Sequence, residues 1–294
     1  MRIGIDIGGS HVGIGVVDDN GSILEKEEMY IKDRINIEDR IENFIIEKVN
    51  NMMVKHQIER IGIASPGTIS KRIIVKSVNL GFKNYDLANK LEKVFQIPVN
   101  IKNDAKCAAL AEYKYGEMAN YEDCVFLCIG TGIGTAVIYD GKLLEPNNTP
   151  GFEISHTIIQ KDGELCNCGK RGCLETYVSL KRFKQRISDR FDLNTLNGEK
   201  IRKFIEENKE NQLIKEMIKE YIDYLSVGIS NIINVFEPEA ICIGGSFSEY
   251  GDIFMAPLKE TLLTGNLLFN SREDFTIKYA KLKNDAGIIG AALI

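Results

Sequence analysis

Two stretches of this chain share one design. RIGIDIGGSHVGIGVVDDNGSIL begins at Arg2, and CVFLCIGTGIGTAVIYDGKLL begins at Cys124. Each runs apolar strand, glycine-rich turn, apolar strand, Asp- and Gly-containing turn, strand. Asp-Asn-Gly and Asp-Gly turns between apolar runs are hairpin signals, because they tolerate the positive φ such turns need. Two copies of one hairpin unit in one chain read as an internal duplication. The segments between and after them carry helical periodicity, so the chain is confined to an α/β fold built in two halves.

In chain order, residues 36–56 read as a helix, with Ile37, Ile41, Phe44, Ile45, Val49 and Met52 at helical spacing. Residues 60–65 return as a strand that ends in Ser-Pro-Gly, 86–95 as a helix and 99–102 as a short strand. Asn103-Asp104-Ala105 opens an Ala-rich helix that runs to about Tyr115. After the second hairpin unit, helices are expected over 179–191 and 211–236, and strands over 240–243 and 276–280. A helix of small residues closes the chain from Asp285, which can cap it. The polar stretch 116–123 is the expected boundary, which gives one α/β lobe over 1–118 and a second over 119–294.

Bulk properties narrow the function classes. The chain of 294 residues is 44% apolar and 27% charged, ordinary for a globular protein of one large or two smaller domains. A net charge of −5 without a basic run argues against nucleic-acid binding. No apolar run approaches the roughly 20 residues of a membrane span. MRIGIDIGGS is already a strand pattern, so no signal or transit peptide is expected. Of seven cysteines, three sit in one cluster and four are scattered in apolar or helical surroundings. That usage points to a reducing, cytoplasmic compartment and not to a disulfide framework.

Four motifs carry chemistry. In Asp6-Ile7-Gly8-Gly9-Ser10, a glycine turn between strands lets backbone N–H groups approach a phosphate, with the Ser10 hydroxyl as a further donor. It is not a dinucleotide fingerprint, since a strand follows where that motif needs a helix, and it lacks the lysine of a P-loop. Alone it reads as a hairpin turn. Thr131, Gly132 and Gly134 sit in a matching turn of the second half, and the pair suggests a nucleotide gripped by both lobes. Asp6 could hold Mg²⁺ through water or orient the turn. At the second motif, Asn103-Asp104, one reading is a helix cap. The other makes Asp104 a general base, ionised at a helix N-terminus, with Asn103 orienting the acceptor. The third, Gly244-Gly245, permits close approach of a flat ligand such as adenine or simply ends a strand.

The fourth is the segment 151–175, GFEISHTIIQKDGELCNCGKRGCLE. His156, Cys166, Cys168 and Cys173 have the spacing of a zinc site, and four protein ligands make such a site closed and structural. Glu153 and Glu175, with Asp104, could offer the fan of acceptors a polyhydroxylated ligand needs. Glu164 suits a solvated loop charge better.

At these residues the chain resembles the ROK sugar kinases of the actin/hexokinase-like ATPase superfamily, over essentially its whole length. CNCGKRGCLE at residues 166–175 matches the family signature C-x-C-G-x-x-G-C-x-E. FEISH resembles the family's G-E-x-G-H, DIGGSH its first phosphate motif, IGTGIG its second, NDAKCAALAE its catalytic segment and ICIGGSFS its adenosine motif. The resemblance implies a two-lobed fold that closes on its substrate, a structural zinc, ATP with Mg²⁺ as phosphoryl donor, and a homodimer. It implies Asp104 as the base that deprotonates a sugar hydroxyl, commonly the 6-hydroxyl. Asn103, Glu153, His156 and Glu175 would bind the sugar, with Gly67 and Asn79 lining its pocket. Asp6, Gly8, Gly9, Ser10, His11, Thr131, Gly132 and Gly134 would face the phosphates, and Gly244 and Gly245 the adenosine.

Three departures are visible. His11 stands where the family commonly has lysine, and Phe152 and Ser155 replace the glycines around Glu153. A bulkier loop there would reshape the pocket near the sugar's first two carbons, which leaves N-acetylhexosamines open beside hexoses. The leading expectation is an ATP-dependent hexose or N-acetylhexosamine kinase. The rivals are a sugar-responsive transcriptional regulator of the same family without its DNA-binding domain, and a non-catalytic sugar-binding protein.

Overall fold

The computed structural model describes residues 1–78, 80–145, 153–264 and 276–294. Asn79 and Phe152 lie outside the described residues. The chain first lays down strands β1 (Arg2–Ile7), β2 (His11–Val17) and β3 (Ile23–Tyr30) and helix α1 (Ile37–Lys55). Strands β4 (Arg60–Ser65), β5 (Thr68–Ser70), β6 (Ile73–Ser77) and β7 (Phe82–Tyr85) follow, then α2 (Leu87–Phe95), β8 (Val99–Asn103) and α3 (Asp104–Tyr115). The second part has β9 (Cys124–Ile129), β10 (Ile133–Tyr139) and the short β11 (Lys142–Leu143). It continues with α4 (Leu174–Val178), α5 (Leu180–Arg190), α6 (Gly198–Glu207), α7 (Gln212–Phe236), β12 (Ala240–Gly244), α8 (Asp252–Thr264) and β13 (Thr276–Tyr279). The last helix is α9 (Ala286–Ala292). No helix among the described residues is long and apolar enough to cross a membrane.

Contacts divide the chain into two compact units. The first holds Met1–Asn120, a return from Lys142, and Lys281–Ile294; the second holds Tyr121–Gly141 and the chain from Glu153 to Ala280.

In the first unit the sheet order is β3-β2-β1-β4-β8. β1 pairs antiparallel with β2 and parallel with β4, which is parallel to β8. Ile3, Ile5 and Ile7 of β1 share one core with Ile61 and Ile63 of β4 and with Ile41, Ile45, Val49 and Met52 of α1. α9 packs on β1 and β4 through glycines. A Cβ on Gly4 would overlap the Ile288 carbonyl, and one on Gly62 the Ala291 carbonyl. Those glycines are what interrupts RIGIDI and RIGIAS: a helix backbone lies on the strand there.

The second unit repeats the design. β9 pairs antiparallel with β10 and parallel with β12, and β12 runs parallel to β13. The order β10-β9-β12-β13 thus matches β2-β1-β4-β8. Its helical side is aromatic: Phe183, Tyr221, Phe247 and Phe254 meet at ring-centroid distances of 4.8 to 5.2 Å between neighbours such as Phe183–Tyr221 and Phe183–Phe254.

Some expectations change in detail. Asp285 does not cap α9 with its side chain; it pairs instead with Lys26 of β3 at 2.9 Å. The sheet β5-β6-β7, α6 and α8 were not legible in the pattern. β5 and β6 are short and joined through Lys71 and Arg72, both at positive φ without a turn glycine. Pro257 inside α8 masks a helical pattern.

Candidate functional site

In the first unit the parallel register aligns the C-terminal ends of three strands. Asp6 of β1 is level with Ala64 of β4, and Ser65 is level with Asn103 of β8. Open α/β sheets bind ligands along this edge, where loops and helix N-termini converge. The Gly8 amide donates to the His11 carbonyl at 2.8 Å and closes the first glycine turn. Gly9 and Ser10 stay exposed at its tip. The His11 ring folds back against Gly8, 3.5 Å from where a Cβ would stand.

The Asn103 side chain accepts from the amides of Ala105 and Lys106 and so caps α3. Its Nδ2 donates to the Gly67 carbonyl at 3.2 Å. The capping role open at this junction therefore falls to Asn103, and Asp104 becomes the first residue of α3, its Oδ1 accepting from the Ala105 amide at 2.9 Å. Gly67 has φ of 102°, and a Cβ there would overlap the Lys76 carbonyl. Only glycine fits that turn without strain.

Asp6 and Asp104 are electrostatic neighbours. Burial first, and the charge of Asp104 second, push the Asp6 carboxyl up to about 7, while Lys26 pulls the other way. Asp6 keeps some solvent access, yet Gly287 of α9 lies so close that a Cβ there would overlap its carboxylate. Two acids that act on one another create a place that favours a proton or a cation.

In the second unit the matching turn runs through Gly130, Thr131 and Gly132, with the Gly130 amide donating to the Gly132 carbonyl at 2.9 Å. Gly134 faces Cys128 across the hairpin. Gly244 pairs with Cys128 at the end of β12, and Gly245, at φ of 73°, lies on the Ile129 backbone. The glycine pair and the second turn are thus side by side. Glu175 of α4 joins them: its Oε2 accepts from the Ile133 amide at 3.0 Å, and a Cβ on Gly132 would stand 2.6 Å from it. A carboxylate read in sequence as a candidate acceptor for a polyhydroxylated ligand is therefore attached to the second glycine turn.

The four metal-ligand candidates do converge. Ligand atoms of His156, Cys166, Cys168 and Cys173 all lie within 4.8 Å of one another. Cys166 Sγ is 3.6 Å from His156 Nδ1, and Cys168 Sγ is 3.6 Å from Cys173 Sγ. Tetrahedral zinc with bonds of about 2.0–2.3 Å sets its ligands roughly 3.5–4 Å apart, so the donor set fits this ion. Gly172, at φ of 80°, sits where a Cβ would overlap the Gln160 carbonyl. The Cys166 amide donates to the Lys170 carbonyl at 2.8 Å, which folds the Cys-x-Cys turn. Burial pushes the Cys173 thiol up to about 12, and a bound cation would reverse that. Glu153 is exposed at the start of this loop, and its carbonyl accepts from the His156 amide at 2.9 Å. Glu164 pairs with Arg186 at 2.8 Å. Gly151, like Asn79 and Phe152, is outside the described residues. Ser155 is buried, and its hydroxyl has no partner among the described residues.

Three residues near Asp104 were missed. Lys102 and Lys106 both bind Glu145, at 2.5 and 3.1 Å. Burial works against the Glu145 charge, but the two lysines hold its carboxyl below the usual range. Lys-Asn-Asp-Ala-Lys was the available signal for the lysines; nothing local marked Glu145 as their partner.

The sequence profile of the ROK family matches residues 2–294. A glucokinase of Thermotoga maritima is 30% identical, with 99% of this chain and 96% of that protein covered. A xylose repressor of Caldicellulosiruptor bescii is 29% identical over 98% of this chain and 76% of its own length. Among solved structures, a ROK family glucokinase from Streptomyces griseus in complex with glucose and AMPPNP superposes with a TM-score of 0.83 at 26% identity, covering 99% of this chain and 97% of that one.

Proposed function

The chain belongs to the ROK family, and on that premise we propose that it is an ATP-dependent kinase of a hexose or N-acetylhexosamine. The observation that supports this reading is that Asp104, just past the end of β8, acts on the carboxyl of Asp6 at the end of β1, just ahead of the Gly8–Ser10 turn that we read as a phosphate cradle. Phosphoryl transfer asks little covalent chemistry of the protein: a positioned acceptor, a base and neutralised phosphate charge suffice.

Asp104 is the base. Its place in the first turn of α3 favours negative charge. It takes the proton of a sugar hydroxyl, commonly the 6-hydroxyl, as that oxygen bonds the terminal phosphorus of ATP and ADP leaves with the bond electrons. Asn103, Glu153, His156 and Glu175 hold the sugar, with Gly67 and Asn79 at its pocket wall. Ser10, Thr131 and Gly132 face the phosphates, and Gly244 and Gly245 the adenosine. The raised carboxyl of Asp6 suits a neighbour of Mg²⁺, since a cation beside it stabilises the ionised form. Zinc, when bound, braces the loop that presents His156 and Glu175. The active form is a homodimer, in keeping with the family resemblance.

The similarity to a repressor supports a second reading, a sugar-responsive regulator. One assay separates the two: coupled ADP release over a panel of hexoses and N-acetylhexosamines. Turnover with one sugar, abolished in Asp104→Ala while sugar binding stays within about tenfold (~1.4 kcal/mol), supports the kinase. Sugar binding without turnover supports the regulator, and full turnover in Asp104→Ala removes the base assignment.

A further inference from the structure

Arg34 lies in the loop between β3 and α1, and no motif points to it. Its Nη2 donates to the carbonyl of Gly9 at 2.6 Å, at the tip of the first glycine turn. The same turn is tied to the end of β3 by the Ile31 amide, which donates to the Ser10 carbonyl at 2.8 Å. Arg34 is exposed and forms no ion pair among the described residues. The acid next to it is already engaged: Asp33 Oδ1 accepts from the Ile35 amide at 3.0 Å and pairs with Arg40 at 2.7 Å. Asn36, in the left-handed region at φ of 48°, then turns the chain into α1. The loop thus keeps one guanidinium at the glycine turn and spends the adjacent carboxylate elsewhere.

We propose that Arg34 grips the terminal phosphates of the nucleotide at the Gly8–Ser10 turn, as the basic side chain that, among the described residues, is hydrogen-bonded to the tip of this turn. The proposal rests on the kinase reading for its ligand. Position 11 holds a histidine whose short ring lies back on Gly8, so it does not supply the reach and fixed charge of a long basic side chain. A guanidinium has five N–H donors in a planar fork. One on Arg34 is used on Gly9, and the rest match phosphate oxygens in a way a single ammonium does not. Gly9 and Ser10, exposed at the tip, leave room for a phosphate between backbone amides and that fork.

The test measures binding of ATP, ADP and adenosine, each with magnesium and without sugar, to the wild-type chain, Arg34→Gln and Arg34→Lys by calorimetry. Loss of one charge-assisted phosphate contact is expected to weaken ATP binding roughly 10- to 100-fold in Arg34→Gln. ADP should lose less and adenosine nothing, and Arg34→Lys should recover part of the loss. Added salt should narrow the gap between variant and wild type for ATP. Unchanged ATP affinity in Arg34→Gln overturns the proposal. So does an equal loss for all three ligands, which would make Arg34 a staple of the turn and nothing more. A wild-type chain that binds no ATP overturns it together with the kinase reading. A chain that binds ATP through Arg34 but phosphorylates no sugar overturns the kinase reading alone.

Discussion

The amide of Leu282 donates to Oε1 of Glu112 at 2.6 Å, across 170 residues of sequence. Glu112 is fully buried near the end of α3, and its other oxygen accepts from the Glu117 amide at 2.9 Å. One carboxylate therefore holds the chain as it leaves α3 and as it returns toward α9. No cation pairs with it among the described residues, so backbone amides satisfy it instead.

Glu112→Ala leaves two amides without their acceptor and opens a void. A destabilisation of about 2–4 kcal/mol is expected, read by denaturant unfolding. Glu112→Gln keeps the volume but turns one acceptor into a donor facing an N–H, so it should also destabilise, by a smaller amount. If both variants unfold with the wild type, the carboxylate is not a structural acceptor.

The approach of α9 to the sheet leaves no space for side chains at Gly62 and Gly4. Gly62→Ala should cost roughly 2 kcal/mol or more, because backbone must move, and should loosen the C-terminal helix to limited proteolysis. Gly13→Ala is the control. There the neighbour is the Cδ1 atom of Ile288, at 3.0 Å, which can rotate away, so the cost should be well below that of Gly62→Ala. Equal melting temperatures for the two variants would contradict this packing.

Asp6 makes stability depend on pH. Its carboxyl is raised to about 7 in the folded chain, by burial first and by Asp104 second. An unfolded aspartate titrates near 3.9. Between these values the folded chain holds a proton that the unfolded chain has released. Asp6 therefore contributes fully below about pH 4, and its contribution is lost as pH rises through about 7. Asp6→Asn cannot ionise, so its melting temperature should gain on the wild type between pH 4 and 7 and hold that gain above. A difference constant across this range would show that Asp6 ionises as freely folded as unfolded.

Cys168→Ser removes one of four convergent candidate ligands. Elemental analysis should find about one zinc per chain in the wild type and little in the variant, with a lower melting temperature for the variant. Zinc retained at the wild-type level would show that the cluster is not its site.

Much of this molecule is written in short windows of sequence. The strands of the two hairpin units follow from apolar runs and Asp-Gly turns, and α7 from its apolar face over 25 residues. The candidate metal ligands were legible because they fall within eighteen positions of chain, where spacing alone limits their separation. Asn103 and Asp104 were legible as a pair, but which one caps α3 depended on the backbone at the end of β8.

Other features are properties of approach between distant segments. Gly4 and Gly62 stand within two apolar strands because the backbone of α9 lies on them. Arg34 reaches Gly9, Glu175 reaches Ile133, Glu145 reaches two lysines, and Leu282 reaches Glu112. The raised carboxyl of Asp6 also belongs to this group, since Asp104 and Gly287 come to it only in the folded chain. Propensity and periodicity act over a few residues and can be read in one dimension. Close contact, burial and the electrostatics that follow depend on how elements pack, and so the sequence alone determined the strands of the two hairpin units, the duplicated turns and the candidate metal ligands, while tertiary structure decided which groups meet at each turn and how they bear on one another's charge.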